Sequence, residues 1–296
     1  MATSDFAAIR SFLYVPGDRP DMLSKSTNSG ADGVIIDLED SVGAASKDKA
    51  RNIVASWLAE QEQSSTALWV RINSHPEIAH RDLDAIVRSG LTGVYIPKVS
   101  ATTDIEFVAD RLDDLEAGNG VEVGAVRIAP LLETAAAVLA ASGIASSPRV
   151  SHLAIGEADL AAELRMRPSP DGRELDPIRI AVVVASAAAK INPPIGPVDT
   201  NFRDLDSLGA TSRQLRQMGY GGRAAIHPDQ IPIINEAFSP TEQELATALN
   251  IVDRFEAAQR AGDAITVSED GSLIDEAVAR LARLTLSYRP SRRSEK

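Results

Sequence analysis

The sequence has 296 residues, of which 44% are hydrophobic and 24% charged, a globular composition that suits one large α/β domain or two smaller ones. Its formal net charge of −12 at pH 7 argues against a surface that tracks nucleic acid, because such surfaces carry clustered lysine and arginine. The sequence contains no cysteine, which excludes disulfides, a thiolate nucleophile and cysteine-ligated zinc or iron–sulfur sites.

The N-terminal segment MATSDFAAIRSF lacks the basic stretch and following apolar run that mark a signal peptide. Nowhere do about 18 apolar residues run on without interruption, so no membrane-spanning segment is predicted. Together with the absence of cysteine, these features predict a cytoplasmic protein that binds neither membranes nor nucleic acids.

Eight short apolar runs follow one another along the chain, with helix-like stretches such as 47–61, 103–117 and 176–191 between them. Their continuous apolar character is typical of parallel strands that are buried on both faces. Eight such units favour a closed (β/α)₈ TIM barrel, although a doubly wound open sheet uses the same alternation. The runs are RSFLYVP, GVIIDLED, ALWVRIN, GVYIPKV, VRIAPLLE, HLAIGEADL, PPIGPVD and GRAAIHP.

The chain continues well beyond the eighth predicted strand. The segment SPTE at 239–242 starts an amphipathic helix that we expect to run to about Ala261. The sequence AITVSEDGSLIDEAVARLARLTL then predicts a turn and a second helix that a closed barrel does not require. We therefore expect a barrel domain at 1–238, a helical extension and lid that packs on a neighbouring subunit at 239–288, and a disordered basic tail at 289–296.

Ionisable residues collect at the carboxyl ends of the predicted strands, where barrel enzymes hold their catalytic groups. Glu133 in PLLET and Asp159 in GEADL close two successive apolar runs, and Mg²⁺ is usually bound through one or two carboxylates. An acidic rim of this kind needs a cation, since crowded carboxylates otherwise take up protons. The remaining residues of the rim are Pro16, Gly17, Asp37, Glu39, Asp40, Arg71, Asn73, Lys98, Asp199 and His227.

Two basic residues stand among these carboxylates. Arg71 is the single basic residue of the apolar run ALWVRIN, and a buried guanidinium needs a partner. That partner is a carboxylate of the DLED segment, a substrate carboxylate or oxyanion, or both. Lys98 in IPKV could form a Schiff base with a carbonyl substrate, but an acidic rim keeps its ammonium group charged and works against this chemistry.

Taken together, these motifs resemble those of the HpcH/HpaI aldolase/citrate lyase family, which includes the citrate lyase β subunit. The resemblance implies a (β/α)₈ barrel enzyme that binds Mg²⁺ and assembles as a homotrimer or hexamer. It implies a lyase that cleaves or forms a 3-hydroxyacyl-CoA thioester by retro-aldol chemistry, with acetyl-CoA and a 2-oxo acid as the other partners. The matching segments are RSFLYVPGDRP, GADGVIIDLEDSV, WVRIN, GVYIPKV, LLETAAAV, GEADLAAEL, GYGGRAAIHPDQI and DGSLID.

The resemblance also implies roles for individual residues. Glu133 and Asp159 match the metal ligands, and Arg71 matches the arginine that contacts the carbonyl-derived oxygen. Asp275, in GSLID, matches a lid aspartate that enters from an adjacent subunit as acid or base. With Arg71 and Asp275, the predicted catalytic residues are Glu39 and Asp40; the predicted substrate-binding residues are Arg71, Glu133, Pro16 and Lys98.

Coenzyme A carries phosphates, and an acidic protein must offset its own field locally to bind them. Arg19 and Lys25, just past the first predicted strand, are the best placed positive charges and resemble family positions near the nucleotide. The alternative is that they are a pair of solvated helix charges.

The resemblance leaves the substrate open among citramalyl, malyl, methylmalyl and citryl thioesters. Pyruvate and glyoxylate differ by one methyl group, which is worth about 1–3 kcal/mol in a pocket. Two further activities fit the same site. One is a malyl-CoA thioesterase or malate synthase-like activity, and the other is that of a β subunit that works only within a multi-subunit citrate lyase.

Overall fold

The computed structural model describes residues Ile9–Tyr288, in which eight parallel strands close into a barrel. Each strand pairs with the next one along the chain, and the first pairs with the eighth to complete the ring. The predicted (β/α)₈ TIM barrel is confirmed. The strands are β1 Ser11–Pro16, β2 Gly33–Asp37, β3 Ala67–Arg71, β4 Gly93–Ile96, β5 Arg127–Leu132, β6 Ala154–Ile155, β7 Ile195–Gly196 and β8 Gly222–Ala225.

Helices follow the strands around the barrel, and the three helical stretches named from the sequence are present to within two residues at either end. No helix within residues 9–288 combines the length and apolar character that a bilayer crossing needs. Short 3₁₀ turns occupy Ala44–Ser46 and Arg173–Leu175. The helices of the barrel are α1 Pro20–Ser26, α2 Lys47–Ala59, α3 Pro76–Ile86, α4 Thr102–Asn119, α5 Ala135–Leu139, α6 Ala141–Ala145, α7 Glu157–Glu163, α8 Asp176–Ala189, α9 Leu205–Met218 and α10 Gln230–Phe238.

The sixth strand is shorter than the sequence pattern predicts. We expected GEADL to be the end of a strand, but β6 ends at Ile155 and Asp159 lies in the first turn of α7. The reason is local: Gly156 follows the strand, and the next seven residues are mostly alanine, glutamate and leucine, which favour helix. Acidic side chains in a first turn also interact well with the helix dipole.

A layer of aromatic side chains fills the barrel. Phe12, Trp69, Tyr95 and His152 are packed with ring centroids 5.0–6.2 Å apart. Tyr95 Oη lies 2.8 Å from His152 Nε2, and burial lowers the pKa of this histidine to about 3. Gly93 makes room for the layer, since a Cβ there would stand 2.4 Å from the Trp69 ring. This neutral layer forms the base on which the polar rim stands.

The described chain divides into two compact units, residues 9–236 and 237–288. In the second unit, Thr241 caps α11 (Glu242–Ala261) through a capping box, so the helix begins within the segment 239–242 that was predicted to start it. A hairpin of β9 (Thr266–Val267) and β10 (Leu273–Ile274) follows, and α12 spans Glu276–Ser287. Packing of this unit on a neighbouring subunit stays a prediction, and the predicted tail at 289–296 lies outside the described residues.

Candidate active site

A cavity of about 620 Å³ lies at the carboxyl ends of the barrel strands. The sequence predicted this end of the barrel as the site, because side chains that follow parallel strands meet there. Six of the predicted rim residues contribute to its walls. The predicted site residues that line the cavity are Pro16, Asp37, Asp40, Arg71, Glu133 and Asp159.

Arg71 is held by the carboxylate opposite it in the barrel. Strands β2 and β3 pair with Asp37 directly opposite Arg71, so both side chains point to the same side. Arg71 Nε and Nη2 donate to the two oxygens of Asp37, each over 2.7 Å. Burial acts to raise the pKa of Asp37, but the hydrogen bonds and charge of Arg71 bring it below its usual range. Asp37 is therefore a fixed carboxylate that orients the guanidinium.

Lys98 connects two parts of the rim. Its ammonium group donates to Glu39 Oε1 over 2.8 Å, and its backbone N–H donates to Glu133 Oε1 over 2.6 Å. The backbone reaches this position with a left-handed φ of 54°. The hydrogen bond to Glu39 raises the pKa of the ammonium, which argues against the Schiff-base reading.

The two other acidic residues of the DLED segment differ in exposure. Glu39 is buried, and Arg71 Nη1 lies 3.2 Å from its Oε2. Burial raises the pKa of Glu39, although Lys98 and Arg71 act to lower it. Asp40 has a side chain that is 58% exposed, and it lies 3.6 Å from Lys98 Nζ and 3.8 Å from Arg71 Nη1. Asp40 thus faces the cavity, whereas Glu39 supports the two cations.

Glu133 and Asp159 have no cationic partner among residues 9–288. Glu133 directly follows β5, and its one hydrogen bond in that range is the Lys98 N–H. Burial, together with the negative charges of Glu39 and Asp159, raises the pKa of Glu133 to about 7. Asp159 is exposed, and its side chain makes no hydrogen bond or ion pair with another described residue. Gly156 lets the loop approach, since a Cβ there would stand 2.7 Å from Glu133 Oε2.

Glu133 and Asp159 together offer a cation two carboxylate ligands. No three histidine, aspartate or glutamate side chains of the described chain form a cluster that could by itself enclose a metal ion. Two carboxylates, one directly after β5 and one in the first turn of α7, leave most positions around a cation open, which is the arrangement that a substrate-chelating Mg²⁺ site uses.

The predicted coenzyme A residues lie apart from the cavity lining. Arg19 donates to both oxygens of Asp21, each over 3.1 Å, and both side chains are exposed. Lys25 is exposed in the last turn of α1. Their contact with coenzyme A stays a prediction.

Asp275 belongs to the C-terminal unit, where it is the N-cap of α12. Its Oδ1 accepts the backbone N–H of Val278 over 3.0 Å, and no other hydrogen bond or ion pair of the Asp275 side chain occurs within the described residues. Its predicted action as acid or base in a neighbouring subunit stays a prediction.

Tyr14 was not among the predicted site residues. This tyrosine lines the cavity from β1, and Arg71 Cζ lies 5.2 Å from the centre of its ring. Burial raises the pKa of Tyr14 well above its usual value, so the phenol stays protonated. The signal that would have found it is the period of two residues along a strand, which puts Tyr14 on the same side as Pro16.

The pair of Glu157 and Arg179 was not predicted from the sequence either. Arg179 stands in an otherwise apolar stretch of α8, which is the same signal that marks Arg71 in β3. Its guanidinium binds both oxygens of Glu157, a cavity-lining residue in the first turn of α7.

Comparison with known proteins identifies the family. Residues 10–228 match HpcH/HpaI aldolase/citrate lyase. A citrate lyase subunit beta from Leuconostoc mesenteroides subsp. cremoris is 31% identical over 271 residues, which are 91% of this chain and 89% of that protein. A (3S)-malyl-CoA thioesterase from Cereibacter sphaeroides is 34% identical over 279 residues, which are 94% of this chain and 93% of that protein.

A solved structure agrees with these sequence matches. Protein CitE from Mycobacterium tuberculosis, in complex with magnesium, acetoacetate and coenzyme A, is similar with a TM-score of 0.74 at 28% identity. The match covers 95% of this chain and 98% of that one. The family that the motifs predicted is confirmed. With its closed barrel, its rim of carboxylates and matches over most of its length, the chain belongs to the HpcH/HpaI aldolase/citrate lyase family.

Proposed function

We propose that this protein is a Mg²⁺-dependent carbon–carbon lyase that cleaves or forms a 3-hydroxyacyl-CoA thioester, with acetyl-CoA and a 2-oxo acid as the other partners. The observation that carries the proposal is the pair of Glu133 and Asp159, two carboxylates that form no ion pair within the described chain and line the same cavity as Arg71. The magnesium, acetoacetate and coenzyme A in the related crystal structure support the same class of ligand.

The residues present fit Mg²⁺. Carboxylate oxygens are the ligands that this ion prefers, and two of them leave room for water and for substrate oxygens. Burial and the charges of Glu39 and Asp159 raise the pKa of Glu133 to about 7, and a bound dication would favour its charged form. Once bound there, Mg²⁺ would supply positive charge that lowers the pKa of a substrate hydroxyl.

Arg71 supplies a second positive charge from the protein itself. Asp37 takes up Nε and Nη2, so Nη1 is the nitrogen left to donate to a substrate oxygen. Because the guanidinium is already oriented, it needs no rearrangement when negative charge develops on that oxygen. Glu39 acts with Asp37 to hold it there, since Glu39 Oε2 lies 3.2 Å from Nη1.

The proton balance of the cleavage needs one base and one acid. The hydroxyl loses its proton, the carbon–carbon bond breaks to give the carbonyl of the 2-oxo acid, and the electron pair passes to the thioester enolate, which takes a proton on carbon. We propose that Asp40, the exposed carboxylate in the cavity, is the base that accepts the hydroxyl proton. We assign protonation of the enolate to Asp275 of an adjacent subunit.

A thioesterase is the second candidate, because one relative of this chain is named (3S)-malyl-CoA thioesterase. Hydrolysis would use the same cavity but would release free coenzyme A. A third arrangement, action within a citrate lyase complex, is suggested by the relatives named as its beta subunit. It would require a thioester carried by a partner protein in place of coenzyme A.

The deciding experiment offers citramalyl-CoA, malyl-CoA and citryl-CoA with Mg²⁺ and measures 2-oxo acid, acetyl-CoA and free thiol together. We expect one of the thioesters to give acetyl-CoA and 2-oxo acid in equal amounts, and a chelator to stop the reaction. Free thiol without any 2-oxo acid would assign the thioesterase instead. Absence of both kinds of product from every thioester would overturn the proposal.

Variants then test the residues. Glu133→Gln and Asp159→Asn should each abolish turnover and weaken Mg²⁺ binding in calorimetry, and unchanged affinity in both would remove them as ligands. Asp275→Asn should lose turnover while its helix stays capped, because asparagine is also a good N-cap. Mixing inactive Glu133→Gln and Asp275→Asn proteins should restore part of the activity if Asp275 completes a neighbour's site. No recovery in mixed oligomers would contradict that assignment.

A further inference from the structure

The first turn of α7 carries two carboxylates with opposite surroundings. Glu157 Oε1 and Oε2 accept hydrogen bonds from Arg179 Nε and Nη2 over 2.6 and 2.7 Å. The side chains of Arg179 and Glu157 are only 9% and 14% exposed. Two residues further on, Asp159 is exposed and binds no other residue of the described chain. Arg179 therefore occupies both carboxylate oxygens of Glu157, whereas the carboxylate of Asp159 remains available to a cation.

Arg179 is itself held in place. Its Nη1 donates to Asp176 Oδ1 over 3.0 Å within α8, and the hydroxyl of Tyr220 donates to its carbonyl oxygen over 3.4 Å. Gly172 packs against the guanidinium so closely that a Cβ there would stand 2.9 Å from Nη2. The guanidinium is therefore held in a fixed position, and its hydrogen bonds to Glu157 hold the first turn of α7 next to it.

Helix α7 has few other constraints at this end. Strand β6 before it has two residues, and Gly156 at the N-cap offers no side chain to cap the helix. A helix of seven residues is too short to be stable through its own hydrogen bonds. The backbone at Gly156 lies against Glu133. The position of the first turn of α7 therefore determines the position of Asp159 relative to Glu133.

We propose that Arg179 is a positioning residue for the cation site. By binding both oxygens of Glu157 it fixes the first turn of α7, presents Asp159 beside Glu133, and keeps Glu157 from competing for the cation. The inference rests on the proposed Mg²⁺ site. Groups that orient metal ligands without touching the metal commonly affect its affinity by about 10–100-fold.

The test is a double variant, Glu157→Gln with Arg179→Met, which removes the ion pair and leaves the net charge of the protein unchanged. We expect its Mg²⁺ affinity, measured by calorimetry on the full chain without substrate, to fall about tenfold. Activity is not needed as a readout, so the result does not depend on knowing the substrate.

The chain offers a matched control at the opposite end of the barrel. Arg149 Nη1 and Nη2 donate to Glu116 over 3.1 and 2.6 Å, and these side chains are 7% and 0% exposed. Arg149 also binds the carbonyl of Val126, which precedes β5, so the pair lies at the amino ends of the strands. The double variant Glu116→Gln with Arg149→Met should destabilise the fold in urea at least as much, with Mg²⁺ affinity unchanged.

Each result decides one question. Equal Mg²⁺ affinities in both double variants and in the natural protein would overturn the role of Arg179. Absence of Mg²⁺ binding in the natural protein, or unchanged binding in Glu133→Gln, would instead overturn the proposed function. If the Arg179 double variant does not fold, Arg179→Lys replaces it, since lysine keeps the charge but loses the planar fork. Unchanged affinity in Arg179→Lys would then overturn the inference.

Discussion

The two sides of the barrel rim differ in whether their carboxylates have a positively charged partner. After β2 and β3, the Asp37 carboxylate is bound by Arg71 and its pKa lies below the usual range. After β5 and β6, Glu133 and Asp159 form no ion pair with any residue from 9 to 288, and burial together with nearby carboxylates raises the pKa of Glu133 to about 7. Both sides are acidic in sequence, so acidity alone does not mark a metal site. The side that the protein leaves without a counter-charge is the side where an added cation gains most.

Removing Arg71 should have the largest effect, because it converts the paired side into an unpaired one. In Arg71→Met, Asp37 keeps only 2% of its surface exposed and loses its counter-charge. Leaving such a charge uncompensated typically costs about 3–5 kcal/mol of unfolding free energy. Turnover should fall on the order of 10²–10³-fold through the lost contact to substrate. Urea unfolding and steady-state kinetics measure the two losses separately.

A second change separates the two consequences of Arg71→Met. Adding Asp37→Asn removes the uncompensated carboxylate, so the double variant should regain much of the lost stability without regaining activity. If stability does not return, the pairing of Asp37 with Arg71 is not what balances this side of the rim. If activity returns, Arg71 does not contact the substrate.

Glu133→Gln should have an intermediate effect, with a sign that depends on pH and metal. Because the folded pKa of about 7 lies above the usual value of 4.5, the stability from the protonated carboxyl is complete below about pH 4.5 and is lost as pH rises through 7. Without metal, Glu133→Gln should therefore match the natural protein near pH 4.5 and exceed its stability by roughly 3 kcal/mol at pH 8.

Urea unfolding in a chelator at several pH values tests this expectation. Added Mg²⁺ should then stabilise the natural protein at pH 8 and leave the variant unaffected, because a ligand stabilises the state that binds it. A stability difference that does not change with pH would mean that Glu133 has a counter-charge after all, which would remove the contrast between the two sides.

The sequence alone was sufficient for the barrel and for one side of this contrast. Eight apolar runs predict eight buried strands, and Glu133 directly follows one of them, so its place at the rim could be read off the chain. Asp159 was assigned to a strand end because GEADL continues an apolar run, whereas local helix propensity put it in α7. The partner of Arg179 lies 22 residues away in sequence, and no local pattern specifies which carboxylate it meets.

For the same reason, the different surroundings of the acidic residues in the DLED segment (37–40) could not be predicted from the sequence. Its three acidic residues look equivalent along the chain, but only the fold shows that Arg71 binds Asp37 through two hydrogen bonds while Asp40 remains exposed. Burial and counter-charge are properties of the assembled rim, and they decide which carboxylates are available for chemistry.

Substitutions of Lys98 should have the smallest effects, because its ammonium group and its backbone N–H bind carboxylates on different sides of the rim. Its half-exposed ammonium binds Glu39, and its backbone N–H binds Glu133. Lys98→Met removes only the ammonium, so we expect a loss of less than about 1 kcal/mol in urea unfolding and nearly unchanged Mg²⁺ affinity. Lys98→Gly should be more stable than Lys98→Met by about 1 kcal/mol, since glycine adopts the left-handed backbone without strain. A large loss of Mg²⁺ affinity in Lys98→Met would show that the ammonium, not the main chain, supports Glu133, and the two sides could no longer be treated as separate.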